Sequence, residues 1–132
     1  MLINSNIRKS IKKTKKIKKK FNSTPFENIK EKLNFNLTKD QLNAINDINN
    51  DLSSDRKMFR LLQGDVGSGK TIVALVCCLN VINSNFQASF MAPTEILAIQ
   101  HYELAKQLFG KNITVKLLTS KTDYSERKQI LN

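Results

Sequence analysis

The run from Met58 to Thr71, MFRLLQGDVGSGKT, limits what this chain can fold into more than any other stretch. An apolar segment, Met58-Phe59-Arg60-Leu61-Leu62, stops at Gly64. Gly64-Asp65-Val66-Gly67-Ser68-Gly69-Lys70-Thr71 then fills the pattern G-x-x-x-x-G-K-[ST], with a further glycine inside it. Such a loop captures anions: its glycines let the backbone turn with N–H groups pointing inward, and no side chain obstructs them. A helix that follows adds the positive end of its dipole at the same spot. In that arrangement Lys70 meets the β- and γ-phosphates as a point charge and the Thr71 hydroxyl takes a place on Mg²⁺. The pattern needs a strand before it and a helix after it. The Met58–Leu62 run is suited to the first, and Ile72-Val73-Ala74-Leu75-Val76-Cys77-Cys78-Leu79 is too long and too apolar for a loop. A chance Gly/Ser turn ending in Lys-Thr would not carry both flanks. Residues 64–71 are therefore expected to bind a nucleoside triphosphate, with Lys70 and Thr71 as the catalytic pair and Thr71 as the metal ligand.

At 132 residues the chain has room for one domain with a real core, and 40% hydrophobic with 25% charged residues is ordinary for a folded protein. Its net charge of +11 is unevenly placed. Nine of the 22 Lys/Arg, from Arg8 to Lys20, fall within residues 1–20, which hold no acid; the rest of the chain sets 13 basic residues against 11 acidic ones. The body is nearly neutral and carries a basic arm, the kind of segment that meets nucleic acid or an anionic surface. Ile3, Ile7, Ile11, Ile17 and Phe21 recur at near-helical spacing among the lysines, so residues 1–24 read as a basic amphipathic helix and linker. That helix either packs its isoleucine stripe against the body or contacts a phosphate backbone. Cys77 and Cys78 are adjacent within an apolar run, which makes them small core residues and not a disulfide framework. With no signal-peptide pattern and no run of about 18 apolar residues, the expectation is a cytoplasmic protein that makes no membrane contact.

Asn22-Ser23-Thr24-Pro25 breaks the arm from the body, and Phe26–Leu33 has the length of one or two helical turns. Leu42, Ala44, Ile45, Ile48 and Leu52 then recur every three or four residues, so Thr38 is expected to cap a helix running to about Leu52. Thr38 and Gln41 are also spaced as a capping box, T-x-x-Q. The helix after the phosphate loop, Lys70 to about Ile82, is apolar on nearly every side apart from Asn80, which predicts burial against a sheet. Phe86–Ala92 is expected to be a second strand. Thr94 caps a helix with Glu95 in its first turn, and Gly110 is its natural stop. Ile113, Val115 and Leu117 alternate with Thr114 and Lys116 as a third strand. Asp123 and Glu126 are spaced as a capping box for a last helix.

This order predicts an α/β domain, a doubly wound parallel sheet of the P-loop NTPase type, with nucleotide at the carboxyl end of its first strand. The domain is expected over 25–132, preceded by the basic helical arm at 1–24. No later strand in these residues ends in acidic side chains that would hold Mg²⁺ through water.

Leu37-Thr38-x-x-Gln41, Arg60-Leu61-Leu62-Gln63-Gly64 through Thr71, and Met91-Ala92-Pro93-Thr94-Glu95-Ile96-Leu97-Ala98-x-Gln100-His101 together resemble a superfamily 2 helicase. More narrowly they resemble the RecG family of ATP-dependent DNA helicases, over roughly residues 25–131. The transcription-repair coupling factor and the primosomal helicase are the related alternatives. The resemblance implies that Gln41 reads the adenine edge and that the phosphate loop holds ATP with Mg²⁺. It implies that Pro93, Thr94 and Glu95 lie at a DNA-facing end. It also implies that residues 25–132 are a partial first motor lobe of the RecA-like type, in a bacterial monomer that remodels branched or forked DNA in repair and recombination. For His101, a surface or half-buried helix position is the plainer expectation. Leu118-Thr119-Ser120 lacks a glycine that the family carries in this turn. The D-E-x-H motif, the second RecA-like lobe with its arginine finger, and the wedge domain do not occur in these residues. Two function classes therefore remain: the nucleotide-binding piece of a fork-remodelling helicase, or a non-catalytic module that binds nucleotide or nucleic acid without turnover. A kinase- or transporter-type ATPase is disfavoured by Gln41 and Pro93-Thr94-Glu95.

Overall fold

A computed structural model describes residues 35–55 and 57–131. The basic arm at 1–24 and the Phe26–Leu33 segment lie outside the described residues. Four helices organise the described part: α1 Lys39–Ser53, α2 Lys70–Asn83, α3 Glu95–Phe109 and α4 Tyr124–Leu131.

Local signals set the helix ends. Thr38 and Gln41 close both arms of the expected capping box: Gln41 N–H donates to Thr38 Oγ1 at 3.2 Å and Thr38 N–H to Gln41 Oε1 at 2.9 Å. Thr94 Oγ1 accepts from Leu97 N–H at 3.3 Å, and Gly110 ends α3 with φ of 70°. At α4 the expected box forms only in part. Asp123 Oδ2 accepts from Ser125 N–H at 3.0 Å, but the Glu126 carboxylate turns instead to Lys116, 3.5 Å away. An ammonium offers a carboxylate charge as well as a donor, which the Asp123 backbone N–H does not.

The core is built around α2. Val73, Leu75, Val76, Cys77 and Leu79 are buried, on more than one side of the helix, together with Ile45 and Ile48 of α1 and Ala105, Leu108 and Phe109 of α3. Asn80 is also buried, at 4% exposure, because its Nδ2 donates to Asn49 Oδ1 of α1 at 3.1 Å. The position that interrupts the apolar pattern is thus an interhelical contact and not an exposed edge. Burial pushes the Cys77 thiol up to about 12, with the neighbouring Cys78 adding to the shift, and burial raises Cys78 too. Neither forms a thiolate near neutral pH, in keeping with the core reading.

The three expected strands are a different matter. Among the described residues Met58–Leu62, Phe86–Ala92 and Ile113–Leu117 form no strand ladder. Their side chains still sort by face: Ile113 and Val115 pack against the helical core while Thr114 and Lys116 are exposed. Met58 and Leu62 also touch the core, whereas Phe59, Leu61 and Met91 are exposed. Alternation reports which face a segment buries, and the helices supply that face. A ladder also needs a neighbour about 4.8 Å away along each edge, and in parallel sheets that neighbour is remote in sequence.

Arg60 ties the segment before the phosphate loop back to α1. Its Nε donates to Asp51 Oδ2 at 2.7 Å, and its Nη1 lies 3.4 Å from Asp47 Oδ2. That hydrogen bond holds the Asp51 carboxyl below the usual carboxylate range.

The burial pattern separates two leucines. Leu75, 2% exposed, should cost about 2–5 kcal/mol on replacement by alanine. Leu61, 80% exposed, should cost within about 0.5 kcal/mol. Urea unfolding of L75A and L61A, followed by circular dichroism, measures both.

Candidate functional site

The phosphate loop lies between the Met58–Leu62 segment and the first turn of α2. Gly67 and Gly69 both take φ of 81°, a left-handed backbone that L side chains rarely adopt. A Cβ at Gly69 would also meet the Gln41 side-chain nitrogen, the mobile end of a flexible side chain, so the backbone angle is the firmer requirement. The loop closes with Ser68 N–H donating to Asp65 O at 3.2 Å. Gly69 is also the N-cap of α2, and no side chain caps that helix start and no acid lies in its first turn. The first N–H groups of α2 are therefore left to a ligand.

Lys70 curls back over the loop. Its Nζ donates to Gly64 O at 2.8 Å and Asp65 O at 2.6 Å, and lies 3.4 Å from Ser68 Oγ. Three acceptors match the three hydrogens of an ammonium, so the charge is held at the centre of the turn. Thr71 follows on the first turn of α2, half-buried.

Gln41 joins the loop from α1. With Oε1 occupied by Thr38 N–H, its Nε2 donates to Ser68 O at 2.9 Å across 27 residues. No peptide bond among the described residues is cis, so gripping the Ser68 carbonyl turns the next N–H, that of Gly69, to the side away from Gln41. The capping role and a role at the loop are thus combined in one side chain. One Nε2 hydrogen and one Oε1 lone pair remain for a further partner.

The site accommodates a phosphate chain and its metal in chemical terms. A divalent ion held mainly by phosphate oxygens and water needs only one or two hard ligands from the protein, and a threonine hydroxyl such as that of Thr71 is of that kind. Among the described residues there is no cluster of three or more His, Cys, Asp or Glu able to hold a metal by itself.

Pro93, Thr94 and Glu95 gather at the start of α3. Thr94 is spent on capping. Glu95 reaches the turn after the Ile113–Leu117 segment: Ser120 Oγ donates to its Oε2 at 3.1 Å and Lys121 Nζ lies 3.2 Å from its Oε1. These two partners hold the Glu95 carboxyl below its usual range, the Lys121 contact more than the Ser120 one. The turn itself is closed by Thr119 N–H donating to Thr122 Oγ1 at 2.8 Å and Lys121 N–H to Thr119 Oγ1 at 3.2 Å. Threonine hydroxyls do here what a glycine turn would do through backbone freedom. His101 is half-buried, with its ring edge-to-face on Phe90 at 5.1 Å between centroids. Sequence reasoning did not identify the Gln41–Ser68, Arg60–Asp51 and Glu95–Lys121 contacts, and no local spacing signals pairs that far apart.

The DEAD/DEAH box helicase family matches residues 38–132, and the chain belongs to it. Within that class it is similar to proteins named ATP-dependent DNA helicase RecG. The Thermotoga maritima protein is 46% identical over 125 residues, which cover 94% of this chain and 16% of that protein. The Aquifex aeolicus protein is 50% identical over 101 residues, covering 76% and 13%. A RecG homologue of Arabidopsis thaliana chloroplasts and mitochondria is 45% identical over 114 residues, covering 82% and 12%. A solved structure of RecG bound to a three-way DNA junction matches with a TM-score of 0.88 at 45% identity, over 98% of this chain and 18% of that one. The chain thus spans about a sixth or less of the length of these relatives. Family and structural likeness together imply the RecA-like fold, although the described residues by themselves display helices without a sheet.

The double duty of Gln41 gives a prediction. Gln41→Ala should lower stability by about 1 kcal/mol through loss of the cap. It should also loosen the loop, weakening nucleotide binding beyond what the fall in stability explains. Thermal melts alongside calorimetric titration of ATP distinguish this from a pure capping role, which would leave affinity unchanged.

Proposed function

We propose that this chain is the ATP-binding part of an ATP-dependent DNA helicase or translocase of the RecG type. The observation that carries the reading is the Gly64–Thr71 loop: two left-handed glycines, an uncapped start to α2, and an ammonium held at its centre. ATP lays its phosphates along the loop, with Lys70 on the β- and γ-phosphates and Thr71 on Mg²⁺. Gln41, using its remaining donor and acceptor, favours adenine over guanine. Residues 25–132 form part of a doubly wound first motor lobe, with the 1–24 arm as a separate basic element.

The DNA side rests on the relatives, several of which are named DNA helicases, and on the RecG structure with its three-way junction. Branched or forked DNA is accordingly the proposed partner, met near Pro93 and Thr94 by a monomer working in the bacterial cytoplasm. Among the described residues no helix is long and apolar enough to cross a membrane. The chain's likeness to RecG over the phosphate loop and the Pro93–Ala98 stretch favours this reading over a transcription-repair coupling or primosomal helicase.

Turnover needs more than the cradle. The γ-phosphate, its metal and an oriented water must be held together, and an arginine finger alone contributes on the order of 10³–10⁵ in rate. These 132 residues contain neither a D-E-x-H motif nor an identified arginine finger. The chain by itself should therefore bind ATP–Mg²⁺ without sustained hydrolysis. Lys70→Ala should cost about 1.5–3 kcal/mol of that binding through the lost charge-assisted contact. Titration calorimetry with a coupled ATPase assay checks both points; equal affinity in the two proteins, or several turnovers per second from the wild type, would count against the assignment.

A further inference from the structure

We propose that Glu95 is a positioning residue of the nucleic-acid face: it touches no phosphate itself, but clasps Ser120 and Lys121 so that the Thr119–Thr122 turn meets the DNA backbone in a fixed pose. The proposal rests on the reading of the α3 start as DNA-facing, and it reverses the role expected of Glu95 within that reading.

A carboxylate repels phosphate, so a glutamate at the centre of a DNA-facing end calls for an explanation other than direct contact. The geometry supplies one. Both Glu95 oxygens are committed, one to each partner, Oε2 to the Ser120 hydroxyl at 3.1 Å and Oε1 to the Lys121 ammonium at 3.2 Å. The Glu95 side chain is the more buried of the ion pair, 30% exposed against 83% for Lys121. The anchor is therefore on the helix and the free end is on the turn, with Lys121 still open to solvent along most of its length. Ser120 and Lys121 lie 25 and 26 residues from Glu95, so the clasp joins two separate chain segments. Within the turn, Thr119 and Thr122 fix the backbone through their own hydroxyls, and the Glu95 bonds fix where the turn sits relative to α3. Lys121 keeps donors for a backbone phosphate, since an ammonium has three hydrogens and Glu95 engages it through one oxygen. Glu95 also stands in the first turn of α3, where its charge favours the helix start. Its helical and clasping roles can be separated by substitution.

The test is a double-mutant cycle in the whole 132-residue chain, reading affinity for a three-way DNA junction between about 50 and 200 mM salt. The basic arm is present in every variant and cancels from the cycle. Lys121→Ala in the wild-type background should weaken binding about fivefold to tenfold and lower the salt slope by about one, the signature of one lost phosphate contact. Glu95→Ala should produce most of the same loss, and Lys121→Ala added to it should then cost less than twofold. Glu95→Gln keeps an acceptor for Ser120 and the helical reach while dropping the ion pair. It should fall between wild type and Glu95→Ala, and melting curves for all variants should show the folded state intact. If Glu95→Ala tightens binding, or its effect and that of Lys121→Ala are independent, the clasp is overturned while the DNA-facing reading stands. If Lys121→Ala changes neither affinity nor slope in the wild-type background, the DNA-facing reading of this turn fails and the clasp fails with it.

Discussion

The packing of α2 between α1 and α3 sets the position of the Gly64–Thr71 loop. A helix carrying Val73, Leu75, Val76, Cys77 and Leu79 must bury more than one side, and it does so against Ile45 and Ile48 on one neighbour and Ala105, Leu108 and Phe109 on the other. At roughly 1.5–3 kcal/mol for each fully buried large aliphatic side chain, this burial outweighs any surface ion pair in the molecule. Because the phosphate loop is continuous with the first turn of α2, anchoring the helix anchors the loop. The donors at its N-terminus are thereby aimed at one place without any side chain having to hold them there.

Gln41 extends that control to the loop itself. A single amide both completes the cap of α1 and grips the Ser68 carbonyl, so the position of α1 relative to α2 is transmitted to the peptide between Ser68 and Gly69. The glycine at 69 is required by its φ, and a side chain there would push the Gln41 amide from its place. The same economy appears at the other end of the chain, where Glu95 serves the start of α3 and holds a distant turn.

What could be read from the sequence was what is local. The capping box at Thr38 and Gln41, the cap at Thr94, the stop at Gly110 and the phosphate loop all depend on residues within a few positions of one another, and each stands in the structure. Asn80 stands out in the sequence as the polar exception on α2, and nothing nearby reveals that Asn49, 31 residues earlier, will meet it. Glu126 was paired with Asp123 by spacing, whereas the fold brought Lys116 within reach. The three strand-like segments show the same limit from the other side. Their alternation correctly marked which residues face the helices at 113–117, but edge pairing is a contact between remote segments and leaves no periodic trace. The family likeness, and not the pattern, carries the RecA-like fold.

The central claim is that the backbone amides of one loop and one helix start bind the triphosphate, and amide hydrogen exchange with and without saturating ATP–Mg²⁺ tests it most directly. The account predicts slowed exchange at Gly67, Gly69, Lys70 and Thr71, with the Thr119–Thr122 turn unchanged. Saturable ATP binding that leaves those four amides exchanging at their original rates would contradict it.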